Sequence, residues 1–390
     1  MDVKDIKKIL ESHTSPSFIF DIDKLRKRTQ DIKDILAPHA KLCYSIKANP
    51  FFIPEIIDIV DNLEVCSPGE LSICEFYQVP PEKIIYSGVN KERWDVKEAA
   101  DYGVGLFTAE SLRHLKYINE EGIAQGRKLP VILRLNGGGT QFGMSREDLL
   151  GAVKDRESLE GAEIKGIHYF MGTQRKLKHQ LKDFVKLQGL FEELEAIGFK
   201  PEKLEYGPGL KVPYFEGDDF SDTLAPAKEL AAELGAISGL ASLTVEMGRF
   251  IAFDCGSYIT KVMDLKSDGD DNYAILDGGM NHLNYYGQMM GMHKPVMQHI
   301  PSGNTPQTDK EWFLYGSLCS LNDIICKGVH FDGLAEEDIL VFENCGAYSV
   351  TEGIYLFLSR RMPEIIFCKG GEATTIRRPF ETSQLNRKDI

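Results

Sequence analysis

The chain has 390 residues with an apolar fraction of 43% and a charged fraction of 27%, a composition typical of an ordered globular protein with room for two domains. Its formal net charge of −14 disfavours nucleic acid or an anionic membrane as a partner, because both require a basic surface. The eight cysteines lie at irregular spacings without a CxxC pair, so they indicate neither a zinc site nor a disulfide scaffold. We therefore expect reduced thiols and no metal.

The start of the chain and its hydropathy bear on location. Residues 1–13, MDVKDIKKILESH, lack the apolar stretch of a signal peptide, and no run is long enough to span a bilayer. These features favour a cytoplasmic protein that makes no contact with membrane or nucleic acid. A bound phosphate would then need a local site rather than an overall positive surface.

Short β-rich runs alternate with segments of helical period up to about residue 250, which favours βα units around a parallel sheet. The first run is SFIFDI (17–22). Eight candidate strands follow it, and eight is the number that closes a (β/α)8 TIM barrel. In chain order they are KLCYSIK, LEVCS, IIYSG, VGLFTA, VILRLN, IKGIHYF, KLEYG and SLTVEMG.

One helix candidate has a clear end signal. In QLKDFVKLQGLFEELEAIG (180–198) the apolar residues recur at intervals of three and four, and Gly198 stands where a left-handed capping residue belongs. We expect this helix to cover the outside of the barrel.

From about residue 252 the texture changes to strand-like pieces separated by polar or glycine-containing turns, among them YAILDGG, DILVFENCGAY and PEIIFCKGG. This pattern predicts a second, β-rich domain. We expect residues 24–250 to form the barrel and residues 1–23 with 251–390 to form the β-rich domain. The stretch 301–310 predicts an exposed loop.

Two glycine-containing segments follow the last barrel strands. Gly207-Pro208-Gly209 comes after the seventh strand, where small residues let backbone N–H groups approach an anion. Gly248 and Arg249 come after the eighth and add a permanent cation. Each segment alone is usually a turn or a surface arginine, and only their joint position predicts a phosphate site.

Two charged residues end barrel strands. Lys47 ends the first strand, so its amine would project into the barrel mouth and could form a Schiff base with an aldehyde cofactor. Glu246 closes the eighth strand, where its carboxylate could keep a pyridine nitrogen protonated and so strengthen an electron sink. The alternatives are a solvated surface lysine and a salt-bridged glutamate at the rim.

Seven motifs in order resemble the fold-type III decarboxylases that use pyridoxal 5'-phosphate, the family of ornithine, arginine and diaminopimelate decarboxylases, to which alanine racemase is more distantly related. The resemblance covers nearly the whole chain, and it implies an alanine racemase-like fold. The motifs are YSIKAN (44–49), VCSPGEL (65–71), GIHYFMGTQ (166–174), GPG (207–209), EMGR (246–249), GSLC with Asp323 (316–323) and ENCGAY (343–348).

The resemblance implies that pyridoxal phosphate is joined to Lys47 as a Schiff base and that Glu246 pairs with its ring nitrogen. It places a group of residues around the phosphate, and we expect Arg134 to orient the phenolic oxygen side of the ring through a network. The phosphate group comprises Thr173, Gly207, Gly209, Gly248 and Arg249.

The resemblance also implies a homodimer with shared active sites. Cys319 and Asp323 of one subunit would reach the cofactor of the other, and Tyr348 would return to the phosphate. Cys319 would protonate the carbanion left after carbon dioxide departs. The alternative for Cys319 is a small buried hydrophobe, the usual fate of a free cysteine.

This sequence departs from the family at positions that face cofactor and substrate. Phe170 stands where the family usually stacks a histidine on the ring, while His168 on the same strand face is retained. Ser320 replaces the acidic residue that follows the catalytic cysteine in enzymes for basic amino acids. A neutral hydroxyl cannot offset the desolvation of a buried ammonium as a carboxylate would.

A third departure follows the segment 277–283, DGGMNHL, which resembles diaminopimelate decarboxylases. Asn284 and Tyr285 replace the Arg-Pro that recognises a distal carboxylate there. We therefore assign Cys319, Ser320, Asp323 and Tyr285 to substrate contacts. The expected substrate is an amino acid, or a modified aminoacyl group that an acyl carrier protein could present.

Several alternatives remain at this point. A diaminopimelate or ornithine decarboxylase acting on a free amino acid would keep the same cofactor chemistry. A racemase of this family typically places an arginine against the ring nitrogen, so Glu246 argues against it. A non-catalytic regulatory homologue is disfavoured by Lys47 and Cys319, and a lone-barrel cofactor carrier by the β-rich domain.

Overall fold

A computed structural model describes residues 3–303 and 309–388 and divides the chain into two compact units. The described residues of Met1–Leu25, Pro213–Ser221 and Ala252–Ile390 form the strand-rich unit, and Arg26–Val212 with Asp222–Ile251 forms the barrel unit. The loop predicted over 301–310 falls partly on residues 304–308, which lie outside the described residues.

The barrel unit contains eight parallel strands that close on themselves, because the last strand pairs with the first through Glu246 opposite Cys43. The chain reaches the barrel after α1 (Val3–Leu10), β1 (Ser17–Asp21) and α2 (Ile22–Leu36). All eight predicted barrel strands are confirmed. They are β2 (Lys41–Ser45), β3 (Asn62–Val65), β4 (Ile84–Tyr86), β5 (Leu106–Ala109), β6 (Leu129–Arg134), β7 (Ala162–Phe170), β8 (Lys203–Gly207) and β9 (Ser242–Met247).

The two-residue period of the strands determines which side chains point into the barrel. Cys43, Ile85, Leu106 and Ile132 come from four strands and form one buried apolar cluster. Residues two positions further along β2 or β6 point the same way, nearer the carboxyl end of the strand. Side chains at these strand ends therefore converge above an apolar layer, which is where barrels of this type carry their chemistry.

The predicted helix after β7 is confirmed as Leu177–Ala196, beginning three residues earlier than its apolar pattern. Gly198 ends it with φ 75°, and the N–H of Phe199 donates to Leu194 O at 2.9 Å. Every helix that the structure describes is too short or too polar to cross a membrane. The helices of this half are α3 (Ile53–Ile56), α4 (Pro68–Phe76), α5 (Arg93–Tyr102), α6 (Leu112–Ala124), α7 (Arg146–Lys154), α8 (Leu177–Ala196), α9 (Ala225–Glu233), α10 (Gly235–Ser238) and α11 (Arg249–Ala252).

The strand-rich unit is one nine-stranded sheet, which confirms the predicted β-rich part. Its main path runs β14-β13-β11-β10-β1-β16-β17, while β15 pairs with β10 and β12. The first strand of the chain, β1, lies between β10 and β16. The later strands are β10 (Gly256–Asp268), β11 (Asp271–Leu276), β12 (Met297–Ile300), β13 (Asp309–Tyr315), β14 (Ile324–Asp332), β15 (Ile339–Phe342), β16 (Glu364–Lys369) and β17 (Glu372–Arg377).

Helix α1 packs on this sheet through Ile6 and Ile9, whose spacing of three places them on one helix face. They join a buried cluster with Ile19, Ile259 and Ile366 from three neighbouring strands. The apolar face of this short helix thus covers the middle of the sheet.

The boundary between the units differs in detail from the sequence-based division. Residues 24–25 and 213–221, expected with the barrel, lie with the strand-rich unit. Tyr214 packs edge-on against Tyr285 with ring centroids 5.6 Å apart, and Phe215 forms a bridge with Pro295. These contacts link positions about 70–80 residues apart, so local sequence patterns did not reveal them.

Candidate active site

Lys47 lies in a short turn, Ile46–Ala48, directly after β2. Its Nζ is 2.9 Å from Glu64 Oε2 and 3.6 Å from Cys66 Sγ. The lysine side chain is 40% exposed, whereas Glu64 is 3% exposed. Burial raises the pKa of Glu64, but the charge of Lys47 and the hydrogen bond from its amine outweigh burial and hold this pKa below its usual value. The amine is therefore accessible at the barrel mouth beside an ionised carboxylate.

Three buried polar side chains meet inside the barrel at the ends of β7, β8 and β9. His168 lies opposite Glu205 in the strand register, and its Nε2 is 3.4 Å from Glu246 Oε2. Ligand-type atoms of all three residues lie within 4.8 Å of one another. The sequence had singled out His168 and Glu246 but missed Glu205. An acidic residue in the apolar strand KLEYG, two positions before Gly207, was the available signal.

The predicted phosphate loops are built around glycines that leave no space for a side chain. A Cβ at Gly207 would lie 2.3 Å from Glu246 Oε1 and 2.4 Å from Phe170 Cδ2. A Cβ at Gly209 would lie 1.8 Å from Gly172 O and 3.2 Å from Thr173 Cα, and its φ is 59°. The two loops after β7 and β8 therefore touch backbone to backbone.

Helix α8 and the loop before it hold this glycine segment in place. The N–H of Arg175 donates to Gly209 O at 2.8 Å, and Gln180 Nε2 donates to Pro208 O at 3.0 Å. The Arg175 side chain in turn pairs with Asp183, which also accepts from the hydroxyl of Tyr206 at 2.9 Å.

The loop after β9 approaches the first barrel strand. A Cβ at Gly248 would lie 3.0 Å from Ala48 Cβ and 3.1 Å from Ser45 O. Arg249 follows as the first residue of α11. The structure thus brings Gly248 beside the turn that carries Lys47.

Arg134 and Phe170, the last residues of β6 and β7, face each other with the guanidinium carbon 5.9 Å from the ring centroid. Arg134 also lies 4.7 Å from the ring centroid of Phe142. Its Nη1 donates to Glu110 Oε1 at 2.8 Å, and the other carboxylate oxygen accepts from Gly143 N at 3.2 Å. Glu110 was not anticipated from the sequence, although it directly follows strand β5.

A second lysine of the barrel mouth was also missed. Lys91 follows β4 and is 3% exposed, and its Nζ donates to Gly88 O at 2.7 Å. Burial lowers its pKa to about 8, although Glu110 and Cys66 act in the opposite direction. A buried lysine is rare, because burial disfavours its charged form, so this part of the barrel holds a charge at a cost in stability.

In the strand-rich unit, the loop after β13 carries Cys319, which is exposed, and Ser320, which is half-buried. Asp323 holds this loop: its carboxylate accepts N–H groups of Met280 at 2.8 Å and Leu318 at 2.7 Å. Asp323 is 1% exposed. Both of its oxygens accept backbone N–H groups, so the structure assigns Asp323 to ordering this loop, and its contact with substrate stays a prediction.

Tyr285 also has a different place from the one expected. It is buried among the rings of Tyr214 and Phe215, and its hydroxyl donates to Glu343 O at 2.5 Å. Burial raises its pKa well above the usual value. The side chain is part of the core of this unit, and its contact with substrate stays a prediction.

Tyr348 is half-buried and has φ 69°, a left-handed conformation that costs a non-glycine residue about 1–2 kcal/mol. Its carbonyl accepts the N–H groups of Thr351 and Glu352, each at 2.8 Å. Backbone strain of this kind concentrates at functional sites. The phosphate contact of Tyr348 stays a prediction.

The barrel mouth fits pyridoxal phosphate on two observations. At Gly207 and Gly209 any side chain would collide with neighbouring atoms, so only glycine lets these loops pack this closely, as the glycine loops of a phosphate site require. Glu246 Oε2 and both ring nitrogens of His168 are buried without a hydrogen-bond partner among the described residues. Such atoms require a polar partner, and a ring nitrogen is one.

Comparisons with known proteins agree with this geometry. Residues 22–253 match the family model of the pyridoxal-dependent decarboxylases, pyridoxal binding domain. Diaminopimelate decarboxylase of Aquifex aeolicus (strain VF5) is 26% identical over 399 residues, covering 96% of this chain and 91% of that protein. The L-glutamyl-(BtrI acyl-carrier protein) decarboxylase of Niallia circulans is also 26% identical, over 416 residues that cover 97% and 94% of the two chains.

Solved structures show the same fold. Diaminopimelate decarboxylase from Helicobacter pylori, complexed with L-lysine, superposes with a TM-score of 0.86 at 20% sequence identity, covering 97% of this chain and 98% of that chain. The family match spans more than half of the sequence and includes the turn with Lys47 and the strand with Glu246. The chain therefore belongs to the pyridoxal-dependent decarboxylases, enzymes of the carboxy-lyase class whose cofactor is pyridoxal phosphate.

Proposed function

We propose that this protein removes the α-carboxylate of an amino acid, or of an aminoacyl group attached to a larger moiety, in a biosynthetic pathway. The observation that carries the proposal is the accessible amine of Lys47, 2.9 Å from Glu64, in the same barrel mouth as the glycine loops. An amine in that place can bind an aldehyde cofactor whose phosphate lies at those loops.

The role that we propose for each residue follows from its position in the barrel mouth. Lys47 binds the cofactor, Gly209 and Gly248 leave room for its phosphate, and Arg249 supplies a positive charge. With the cofactor bound, Glu246 would face its ring nitrogen and hold a proton on it. When bound, pyridoxal phosphate would supply an electron sink for the pair that the departing carboxylate leaves on the α-carbon. Phe170 offers a flat apolar face for the ring, with Arg134 behind it.

Cys319 completes the proposed reaction by returning a proton to the α-carbon. Its exposure on the loop after β13 supports a role at a surface that another molecule covers. We place it in the active site of a second copy of the chain, so that a homodimer shares its two sites. Asp323 supports this role indirectly because it fixes the loop through Leu318 N.

The substrate class rests on the residues beside Cys319. Ser320 is neutral, and Leu321 is 90% exposed, so this loop offers no carboxylate at these two positions for a distal ammonium. These residues favour a substrate whose far end is uncharged, such as an acylated or carrier-bound aminoacyl group. The relative from Niallia circulans, named for an acyl-carrier-protein substrate, supports the same proposal.

Free diaminopimelate or ornithine is the second candidate. The relative from Aquifex aeolicus and the segment 277–283 favour it. Within that segment, however, Asp277 accepts from Thr260 and Ser15, both at 2.6 Å. This segment therefore supports the sheet, and its resemblance carries little information about the substrate.

The first experiment is a visible absorption spectrum of the purified protein with added pyridoxal phosphate, followed by borohydride reduction and peptide mapping. We expect an absorption band and a label on Lys47. A label on Lys91, the other lysine of the barrel mouth, would change the proposed site. The absence of both the absorption band and the label would contradict the proposed catalytic function and favour a non-catalytic regulatory homologue.

A carbon-dioxide-release screen then separates the substrate classes. We expect turnover of acyl-conjugated or carrier-bound aminoacyl substrates and weak turnover of free diamino acids. The reverse result would favour the second candidate. Mixing inactive Lys47→Ala and Cys319→Ala proteins tests shared sites: about a quarter of the wild-type activity should return if subunits exchange at random, and none if each chain acts alone.

A further inference from the structure

The polar cluster inside the barrel contains a carboxylate for which the proposed reaction has no role. Glu205 lies on β8 with His168 opposite it on β7, and it is close to Glu246 on β9. Both oxygens of Glu205 are buried and have no hydrogen-bond partner among the residues that the structure describes. An unsatisfied buried carboxylate costs several kcal/mol, so the cluster has to contain a compensating proton or cation.

Charge repulsion decides between the two carboxylates. Atoms of Glu205 and Glu246 lie within 4.8 Å in a buried site, and two like charges at that separation cannot both persist there. Burial, then the charges of Glu246 and Glu64, raises the pKa of Glu205 well above its usual value. Lys47 and Arg134 act in the opposite direction and are weaker. The proton therefore belongs on Glu205.

The surroundings of Glu205 include groups from every strand packed against it. The lysine and the arginine among these groups already have carboxylate partners, Glu64 for Lys47 and Glu110 for Arg134. The facing titratable groups are Cys43 on β2, Lys47 after β2, Glu64 on β3, Arg134 on β6, His168 on β7 and Glu246 on β9.

We propose that Glu205 is a positioning residue that retains a proton at the barrel centre, so that it adds no second negative charge beside Glu246 and Glu246 remains ionised where it would face the ring nitrogen of the cofactor. The proposal rests on the role of Glu246 in the proposed function. It deepens that role, because a neutral acid close to Glu246 avoids the repulsion between two buried carboxylates and so preserves the negative charge that would keep the ring nitrogen protonated.

The first test uses the apoprotein, so that it does not depend on cofactor chemistry. Urea denaturation is followed across pH for wild type, Glu205→Gln and the exposed control Glu229→Gln. Because the pKa of Glu205 is raised on folding, its contribution to the free energy of unfolding is complete below about pH 4.5, the usual pKa of the group. It is lost as the pH rises through the raised pKa of the folded state. Wild type and Glu229→Gln should lose stability over this range, whereas Glu205→Gln should be flatter.

The second test detects the proton directly. Infrared spectra of the apoprotein at neutral pH should contain a band of a protonated carboxyl group that disappears in Glu205→Gln and persists in Glu229→Gln. A band that persists in Glu205→Gln and disappears in Glu246→Gln would place the proton on Glu246 and overturn the proposal. A wild-type spectrum without the band would also overturn it.

A metal ion is the competing way to satisfy this cluster. Elemental analysis that found one divalent ion per chain, lost in Glu205→Gln, would overturn the proposal, because a cation would keep both carboxylates ionised. No bound metal would support the proton. These results are independent of the borohydride label on Lys47. A failed label with a confirmed proton would reject the proposed function but leave the protonation of Glu205 in place.

Discussion

Glu110 and Arg134 form a buried ion pair at 2.8 Å between the ends of two neighbouring barrel strands. Glu110 uses its second oxygen for the N–H of Gly143, so it also anchors the loop that brings Phe142 over the guanidinium. One carboxylate therefore positions both the charge and the aromatic cover at this side of the barrel mouth.

We expect Glu110→Gln to destabilise the protein by about 3 kcal/mol, because it leaves the Arg134 charge buried without a counterion. Urea denaturation of the apoprotein measures this. The matched control is Glu193→Gln, which breaks the pair with Arg146 on the surface and should leave the stability almost unchanged. Equal losses of stability in the two variants would show that burial of the ion pair does not increase its contribution.

Gly209→Ala should weaken pyridoxal phosphate binding at least about tenfold, because its Cβ would collide with Gly172 O and displace the loop. Titration by absorption measures the affinity. Gly126→Ala is the control, since Gly126 has a similar φ of 66° but open space around it. It should cost only about 1 kcal/mol of stability and leave the affinity unchanged. Similar affinities in the two variants would contradict the role of the loop.

Lys91→Met should stabilise the apoprotein at pH 7 by about 2 kcal/mol. The pKa of Lys91 falls to about 8 on folding, so the buried charge destabilises the wild type by about 3 kcal/mol, which the variant regains. Loss of the hydrogen bond to Gly88 O costs the variant about 1 kcal/mol. Because a lowered lysine pKa costs stability below that value, the wild type recovers as the pH rises from about 8 towards 10.5. The advantage of Lys91→Met in denaturation experiments should shrink over this range; an unchanged advantage would exclude the titration as its cause.

Glu64→Gln should show the opposite pH dependence. The pKa of Glu64 is lowered by Lys47, so its contribution is present above the usual value of 4.5 and is lost in acid. We expect the variant to be less stable than wild type by about 1–2 kcal/mol at neutral pH and equal to it in acid. Apoprotein denaturation at the two pH values measures this, and a loss that is the same at both would mean that the ion pair is not its source.

Ser320→Asp should raise turnover of free diamino acids relative to acyl-conjugated substrates, because a carboxylate beside Cys319 can pair with a distal ammonium. The ratio of the two kcat/KM values measures the change. Asn322→Asp, which adds the same charge two residues along the loop, is the control. An unchanged ratio in Ser320→Asp would show that Ser320 does not select the substrate.

Much of the fold could be predicted because its signals are local. The strands of the barrel are contiguous apolar runs, and the end of a run marks the end of the strand to within about two residues, so Lys47 and Glu246 could be assigned to the barrel mouth directly. Gly198 could be assigned as a helix cap for the same reason. The departures at Phe170 and Ser320 are likewise visible in the chain itself, although their consequences for the substrate are proposals.

The sequence by itself thus determined the barrel, the β-rich part and the family of the protein. Only the tertiary structure decided which buried groups meet. Asp323 accepts from Met280 N, 43 residues away, and Tyr285 donates to Glu343 O, 58 residues away. Glu205 became a candidate only when strand pairing placed it beside His168. Burial, hydrogen-bond partners and pKa depend on the convergence of distant segments, and a linear pattern contains no record of that convergence.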